Sequence, residues 1–153
     1  VANAFVPDLK NTHSAFVSVA PQTIASATTT NGSSVDLNDC HGSVHVLVAT
    51  GNCGDSTLTL DIKLQQAIED SANPGTALSS DWSDCTPNGA FSQLAGATAA
   101  DNLGLILSHW HRSKRFVRVV VTTAGGGTLS VPISALVLSA KKIVGSGTGT
   151  YSA

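Results

Sequence analysis

Charge is scarce in this sequence. Asp, Glu, Lys and Arg make up only 12% of 153 residues, about half the ~25% of an ordinary soluble protein. The few charges nearly balance, at a formal net charge of -2. That leaves no field to recruit nucleic acid or an acidic substrate. Methionine is absent and aromatic residues are 5%. No run approaches the ~20 apolar residues of a membrane-spanning helix, so no membrane partner is expected. No charged start precedes an apolar stretch, so no signal peptide is expected. The three cysteines, Cys40, Cys53 and Cys85, are an odd number, which argues against a complete disulfide framework. Cys40 and Cys53 flank one expected strand and are candidates to pair. Free, partly buried thiols are the plainer reading. No Cys-x-x-Cys spacing of a zinc site is present.

Small and β-branched residues take the place of the missing charge, and these suit pleated strands and tight turns. Hydrophobic alternation is the dominant pattern. Leu58, Leu60, Ile62 and Leu64 fall on one face of an extended segment, with Thr59, Asp61, Lys63 and Gln65 on the other. That is a strand with one buried and one wet side. Val44, Val46 and Val48 alternate just upstream, and the intervening Gly51–Asp55 is a turn signal, so Ser43–Thr50 and Ser56–Ile68 read as a hairpin. Arg115–Thr123 and Leu129–Leu138 read as a second hairpin, with Gly125, Gly126 and Gly127 supplying the turn. Pro132 has no N–H to donate, which predicts an edge position or a bulge. Further strands are expected at Ala15–Val19, Thr23–Thr28 and Leu103–His111, with a short one around Trp82. Phe91–Ala100 carries weak helical character, interrupted by Gly96. The expected fold is all-β: a jelly-roll-like β-sandwich of about eight strands. It divides into an N-terminal arm over 1–12, a sandwich over 13–142 and a Gly-rich tail over 143–153.

His109 and His111, two apart on one strand, share a face, and Cys40, His41 and His45 lie near another. Together they suggest a mixed metal site. The jelly-roll metal enzymes that use His-x-His need a carboxylate soon after, and only Arg112-Ser113-Lys114-Arg115 follows. Packing or capping roles fit these histidines better, and no metal or other cofactor is expected. No nucleophile elbow precedes a helix, and Ser146 lies in the glycine tail with no scaffold to orient it. Asp81 and Asp84 flank Trp82 and suggest sugar stacking, although Asp in such loops more often makes Asx turns. The Gly145–Gly149 tail opens no helix and so has no dinucleotide geometry. Arg112, Lys114, Arg115 and Arg118 form the one basic cluster. Without an aromatic platform or wider positive field it fits a protein contact or a guarded sheet edge better than nucleic acid. No enzymatic activity is expected.

From Val44 to Ala140 the chain resembles small β-rich virion structural proteins of tailed bacteriophages. The resemblance is carried by Leu58–Gln66, Asp81-Trp82-Ser83-Asp84, Arg115–Thr122 and Val131–Leu138 in that order. It implies a decoration or cement protein on the capsid surface, made in the host cytoplasm, with the major capsid protein as partner. A trimer is the assembly expected from three-fold lattice positions. Contact residues expected on this reading are Phe5, Val6, Leu9, Trp82, Arg112, Arg115 and Tyr151. The apolar members of the two arms are suited to anchor on a neighbour. Two alternatives are a carbohydrate- or receptor-binding module of a tail or fibre using Trp82, Trp110 and the loop carboxylates Asp81 and Asp84, and, further off, a metal-dependent jelly-roll enzyme using His109 and His111.

Overall fold

The computed structural model describes residues 12–51, 57–85, 93–95, 105–125 and 130–142. Among the described residues ten strands run in chain order: β1 (His13–Ala25), β2 (Thr29–Asn31), β3 (Val35–Asp36), β4 (Cys40–Thr50), β5 (Thr59–Ala67), β6 (Ser83–Asp84), β7 (Leu94–Ala95), β8 (Leu105–His111), β9 (Phe116–Ala124) and β10 (Ser130–Lys141). One sheet has the order β1-β10-β4-β8, and the other has β2-β9-β5-β6, with β3 also on β9 and β7 also on β5. Every named pairing is antiparallel. Because β2 and β3 pair with the same strand, they act as two halves of one interrupted strand, and so do β6 and β7. The first sheet is thus four-stranded and the second six-stranded, and with each interrupted strand counted once the six-stranded sheet also has four strand positions, eight in all. The chain changes layer at every connection except the one from β5 to β6. This is the double-sheet jelly roll.

The alternation expected from sequence sets the layers. Val44, Val46 and Val48 of β4 face inward, and so do Leu60, Ile62 and Leu64 of β5, Val117, Val119 and Val121 of β9, and Val131, Ile133, Ala135 and Val137 of β10. Leu58 joins them from just before β5. These side chains interdigitate between the sheets, the arrangement of a sandwich core.

The strands depart from the sequence expectation in five places. The segments β4 and β5 are not a hairpin, since they lie in different sheets, and β9 and β10 are likewise split. Gly51 and Gly125 stand where the chain leaves β4 and β9 for the other layer. At Gly125 (φ 83) a Cβ would sit 2.1 Å from the Thr57 carbonyl oxygen, so the crossing is tight as well as left-handed. Pro132 is in a central strand, not an edge. It pairs with Thr23 on the β1 side, while the β4 ladder ends at Ile133↔Thr50. Its carbonyl accepts from Gly51 N (2.8 Å), so its missing N–H points the same way, past the last paired residue of β4. The segments Ala15–Val19 and Thr23–Thr28 belong mostly to one strand, β1, with register shifts after Val17 and after Val19. Leu94–Ala95, within the weakly helical stretch, is strand.

The first β1 shift has a structural use. A bulge puts neighbouring residues on the same side, and here both Ser18 and Val19 are buried. The Ser18 hydroxyl reaches the other sheet, accepting from Val119 N (2.9 Å) and donating to the Ser33 carbonyl (3.0 Å). It fills the rung that β9 lacks between β2 and β3. Gly32 completes the stitch by donating to the Val119 carbonyl at 2.8 Å.

Candidate interaction surfaces

The β8–β9 turn carries the basic cluster, and its charges are held within the chain. A buried glutamine organises it. Gln66 continues the inward face of β5 after Leu64, where a polar residue needs partners. Its Oε1 accepts from Ser113 N (2.9 Å) and Lys114 N (3.3 Å), and its Nε2 donates to Ser113 Oγ (3.1 Å). Sequence reasoning missed Gln66, although its signal is visible as a polar residue on an otherwise apolar face. Arg112 donates from Nη1 to the Lys114 carbonyl (2.9 Å) and from Nη2 to the carbonyls of Leu37 (2.9 Å) and Cys40 (2.7 Å). It thereby clasps the β3–β4 loop to the turn, while its Nε is buried without a partner. Arg115 forms a fork on Asp36, with Nε to Oδ1 at 2.8 Å and Nη2 to Oδ2 at 2.6 Å, and reaches Glu69 at 2.6 Å through Nη1. This fork holds the Asp36 carboxyl below its ordinary range, and Asp36 in turn raises the Arg115 guanidinium. Lys114 pairs with Asp81 at 2.8 Å and holds its carboxyl low in the same way. A recess of about 410 Å³ beside the turn is lined by Leu37, His41, Arg112, Lys114 and Lys142 among others.

The outer face of the six-stranded sheet is a polar network. Residues Asp61, Lys63 and Gln65 point outward by the period of β5. Gln65 accepts from Arg118 Nε (3.0 Å) and Nη2 (2.8 Å), and donates to Asp84 Oδ1 (2.9 Å). Lys63 pairs with Asp84 at 3.0 Å. Hydrogen bonding from Gln65, then Lys63, lowers the Asp84 carboxyl. The Arg118 guanidinium lies 4.2 Å from the Trp82 ring centroid, a stacked cation–π contact, and its partial burial lowers its basicity. Trp82 is half-buried. Asp81 and Asp84 therefore hold cations, Lys114 of the β8–β9 turn and Lys63 of β5, instead of making Asx turns. Asp70 makes such a turn, accepting from Ala72 N at 2.9 Å.

The outer face of the four-stranded sheet is of the opposite kind. Its strands, of 13, 12, 11 and 7 residues, contain one Asp, Glu, Lys or Arg between them, Lys141 at the last position of β10. Register places Ala15 opposite Leu138 opposite His45, and Val17 opposite Leu136 opposite Leu47. Paired residues share a face. Val17 is 52% exposed, and Leu47, Leu136 and Leu138 are partly exposed on that side. On the backbone of β8, Leu107 and His109 continue these two rows.

The expected contact residues are thus scattered. Arg112 and Arg115 lie together at the β8–β9 turn, and Trp82 lies under Arg118. Phe5, Val6, Leu9 and Tyr151 lie outside the described residues, as do Cys53 and the side chains of His109, Trp110 and His111. Cys40 and Cys85 are free, buried thiols, and burial pushes the Cys85 thiol up to about 11. Cys40 faces the core, while His41 is exposed and His45 lies on the outer face, so these three do not converge. Among the described residues, no group of three His, Cys, Asp or Glu side chains is placed to hold a metal ion.

No protein-family model matches the chain, and no curated protein matches it. Among solved structures it is similar to a chain in the "Structure of infectious bursal disease virus Gx strain", with a TM-score of 0.44 and 13% identity. The match covers 84% of this chain and 32% of that one, so this chain spans about a third of that chain's length.

Proposed function

We propose that this protein is a non-enzymatic structural component of a phage virion, a cement or decoration protein that binds the outside of the major capsid protein shell and stabilises it. The observation that carries the reading is the contrast between the two outer faces. One face of the sandwich is a wet, hydrogen-bonded network, and the other has no Asp, Glu, Lys or Arg at its described outward positions and sets Val17, Leu136 and Leu47 in one row, with Leu138 beside them. Water solvates the first face well. The second is a surface to be covered by protein, since contiguous exposed apolar area marks interaction sites. Two further features support a holding role. The basic groups that sequence alone offers as ligands are spent on Asp36, Glu69, Asp81 and backbone carbonyls. The sequence resembles small phage structural proteins over Val44–Ala140. Cementing multiplies a modest contact by the number of copies on a shell.

The test is addition of the purified chain to shells of the corresponding phage that lack it. On this reading it co-sediments with the shells and raises the temperature at which packaged DNA escapes. Failure to bind shells, with the protein found instead free or on tail fibres, refutes the capsid assignment. A second reading has one observation in its favour: Trp82 is partly exposed beside Gln65 and Asp84, an aromatic ring with polar neighbours of the kind that holds a sugar. Glycan-array binding lost in Trp82→Ala would select it.

A further inference from the structure

We propose that the outer face of the four-stranded sheet is covered by the same face of a second copy of this chain, giving a two-fold dimer. The inference rests on the reading of this chain as an assembling structural protein and names what covers that face, so that contact with the shell falls to other surfaces of the dimer.

Charge is the first argument. Among the described residues, the outward positions are His13, Ala15, Val17 and Thr23 of β1, Pro132 to Ala140 of β10 and Ser43 to Ala49 of β4, taken alternately, and none is Asp, Glu, Lys or Arg. The sequence of β8 has none either. A partner with Asp, Glu, Lys or Arg at the centre of its contact would leave them unpaired against this surface, at a cost to binding. A second copy brings a face equally free of these four residue types, with His13 and His45 as the titratable groups among its described outward positions, and its leucine and valine rows meet like rows.

Shape is the second argument. Two twisted sheets stack with their inner faces about 10 Å apart and their side chains interdigitated. This contact needs no pocket and no induced change. A face that matches itself gives an isologous, closed two-fold contact, not a three-fold one. The trimer expected from lattice positions would need another surface.

Area is the third. Four strands at ~4.8 Å spacing and 11 residues of β4 at ~3.4 Å give a face of roughly 19 by 37 Å, about 700 Å² in projection. A stable standard interface covers about 800 Å² of accessible surface per partner. A pleated face has more accessible surface than its projection, so the whole face is of the size a dimer needs.

The experiment is sedimentation equilibrium on the purified full chain from 1 to 100 µM, with Val17→Asp, Leu136→Asp and Thr122→Asp. Thr122 is on the outer face of the other sheet and serves as the control. The expected mass is twice 15.5 kDa for the parent and for Thr122→Asp. In a two-fold contact each Asp enters twice, so Val17→Asp and Leu136→Asp should weaken association at least ~100-fold. Far-UV circular dichroism of both variants checks that they fold. A measurement without mutation accompanies them: in a sample mixed from isotope-labelled and unlabelled chain, intermolecular NOEs should reach the methyl groups of Leu47, Leu136 and Leu138. A monomer at 100 µM, a trimer, a dimer that survives Leu136→Asp in a folded chain, or a dimer without intermolecular NOEs at these methyls overturns the proposal. A monomer that still binds shells leaves the capsid assignment standing without the dimer. A dimer that ignores shells does the reverse.

Discussion

Replacing Ser18 by alanine removes one oxygen from a side chain that is 2% exposed, yet that oxygen joins the two sheets. It accepts from Val119 N and donates to the Ser33 carbonyl. In Ser18→Ala the Val119 N–H, on a fully buried residue of β9, is left without its acceptor, and β2 and β3 are too far apart in register to supply one. An orphaned buried donor costs about 1–3 kcal/mol, and the lost bond to Ser33 adds about 0.5–1.5 kcal/mol. We therefore expect a loss of about 2–4 kcal/mol. At about 2–4 °C per kcal/mol for a chain of this size, the melting temperature should fall by roughly 5–15 °C. Urea unfolding followed by circular dichroism measures it, with an unchanged m-value showing that the unfolded state is not the cause. Ser33→Ala is the control, because only the Ser33 backbone takes part in the stitch, and it should stay within about 0.5 kcal/mol of the parent. If Ser18→Ala is equally silent, the hydroxyl is not the link between the sheets, and the account of the β1 bulge fails.

Gly32→Ala should be at least as damaging, because the added Cβ would stand 2.6–2.8 Å from Ser18 Oγ, the Ser18 carbonyl and the Val119 carbonyl; soluble yield and melting temperature report it, and a melting point equal to the parent's would contradict the packing. The Asp36, Asp70, Asp81 and Asp84 carboxyls are all held below their ordinary value of 3.8. The folded chain therefore binds fewer protons than the unfolded one there, and the stability these groups add is complete above that value and lost as pH falls through the lowered ones. Melting temperature should be level from pH 8 to about 5 and drop below about 4, more shallowly in Asp36→Asn and in high salt, since the pair with Arg115 is partly exposed; an identical acid limb in Asp36→Asn would remove that pair from the explanation. In a Cys53→Ser background, a thiol reagent at pH 8 should label neither Cys40 nor Cys85 until denaturant is added, because both are buried and the Cys85 thiol is pushed up to about 11; rapid labelling of the native chain would show that the core opens there.

The strand faces were legible in the sequence. Alternation at Val44–Val48, Leu58–Leu64, Val117–Val121 and Val131–Val137 reports which side of a strand is buried, and all of these side chains are in the core. The period of two arises within one strand, from its own pleat, so it needs no knowledge of neighbours. Pairing is a relation between strands, and the same pattern serves a hairpin and a crossing between sheets. That is why the β4–β5 and β9–β10 connections, rich in turn residues, read as hairpins and are not. The charge asymmetry followed the same division. That Leu105–His111 and His13–Ala25 lack Asp, Glu, Lys and Arg is written in the sequence. That they join β4 and β10 in one sheet, collecting the apolar outer residues into a single face, depends on contacts between residues 13–25 and 130–141 at opposite ends of the described chain. The basic cluster shows the remainder. Arg112, Lys114, Arg115 and Arg118 look like free ligands along the chain, and only folding brings Asp36, Glu69, Asp81 and Trp82 against them from 30 to 80 positions away. Local chemistry decides which side of a strand meets water; only the closed sandwich decides which charges remain to meet a partner.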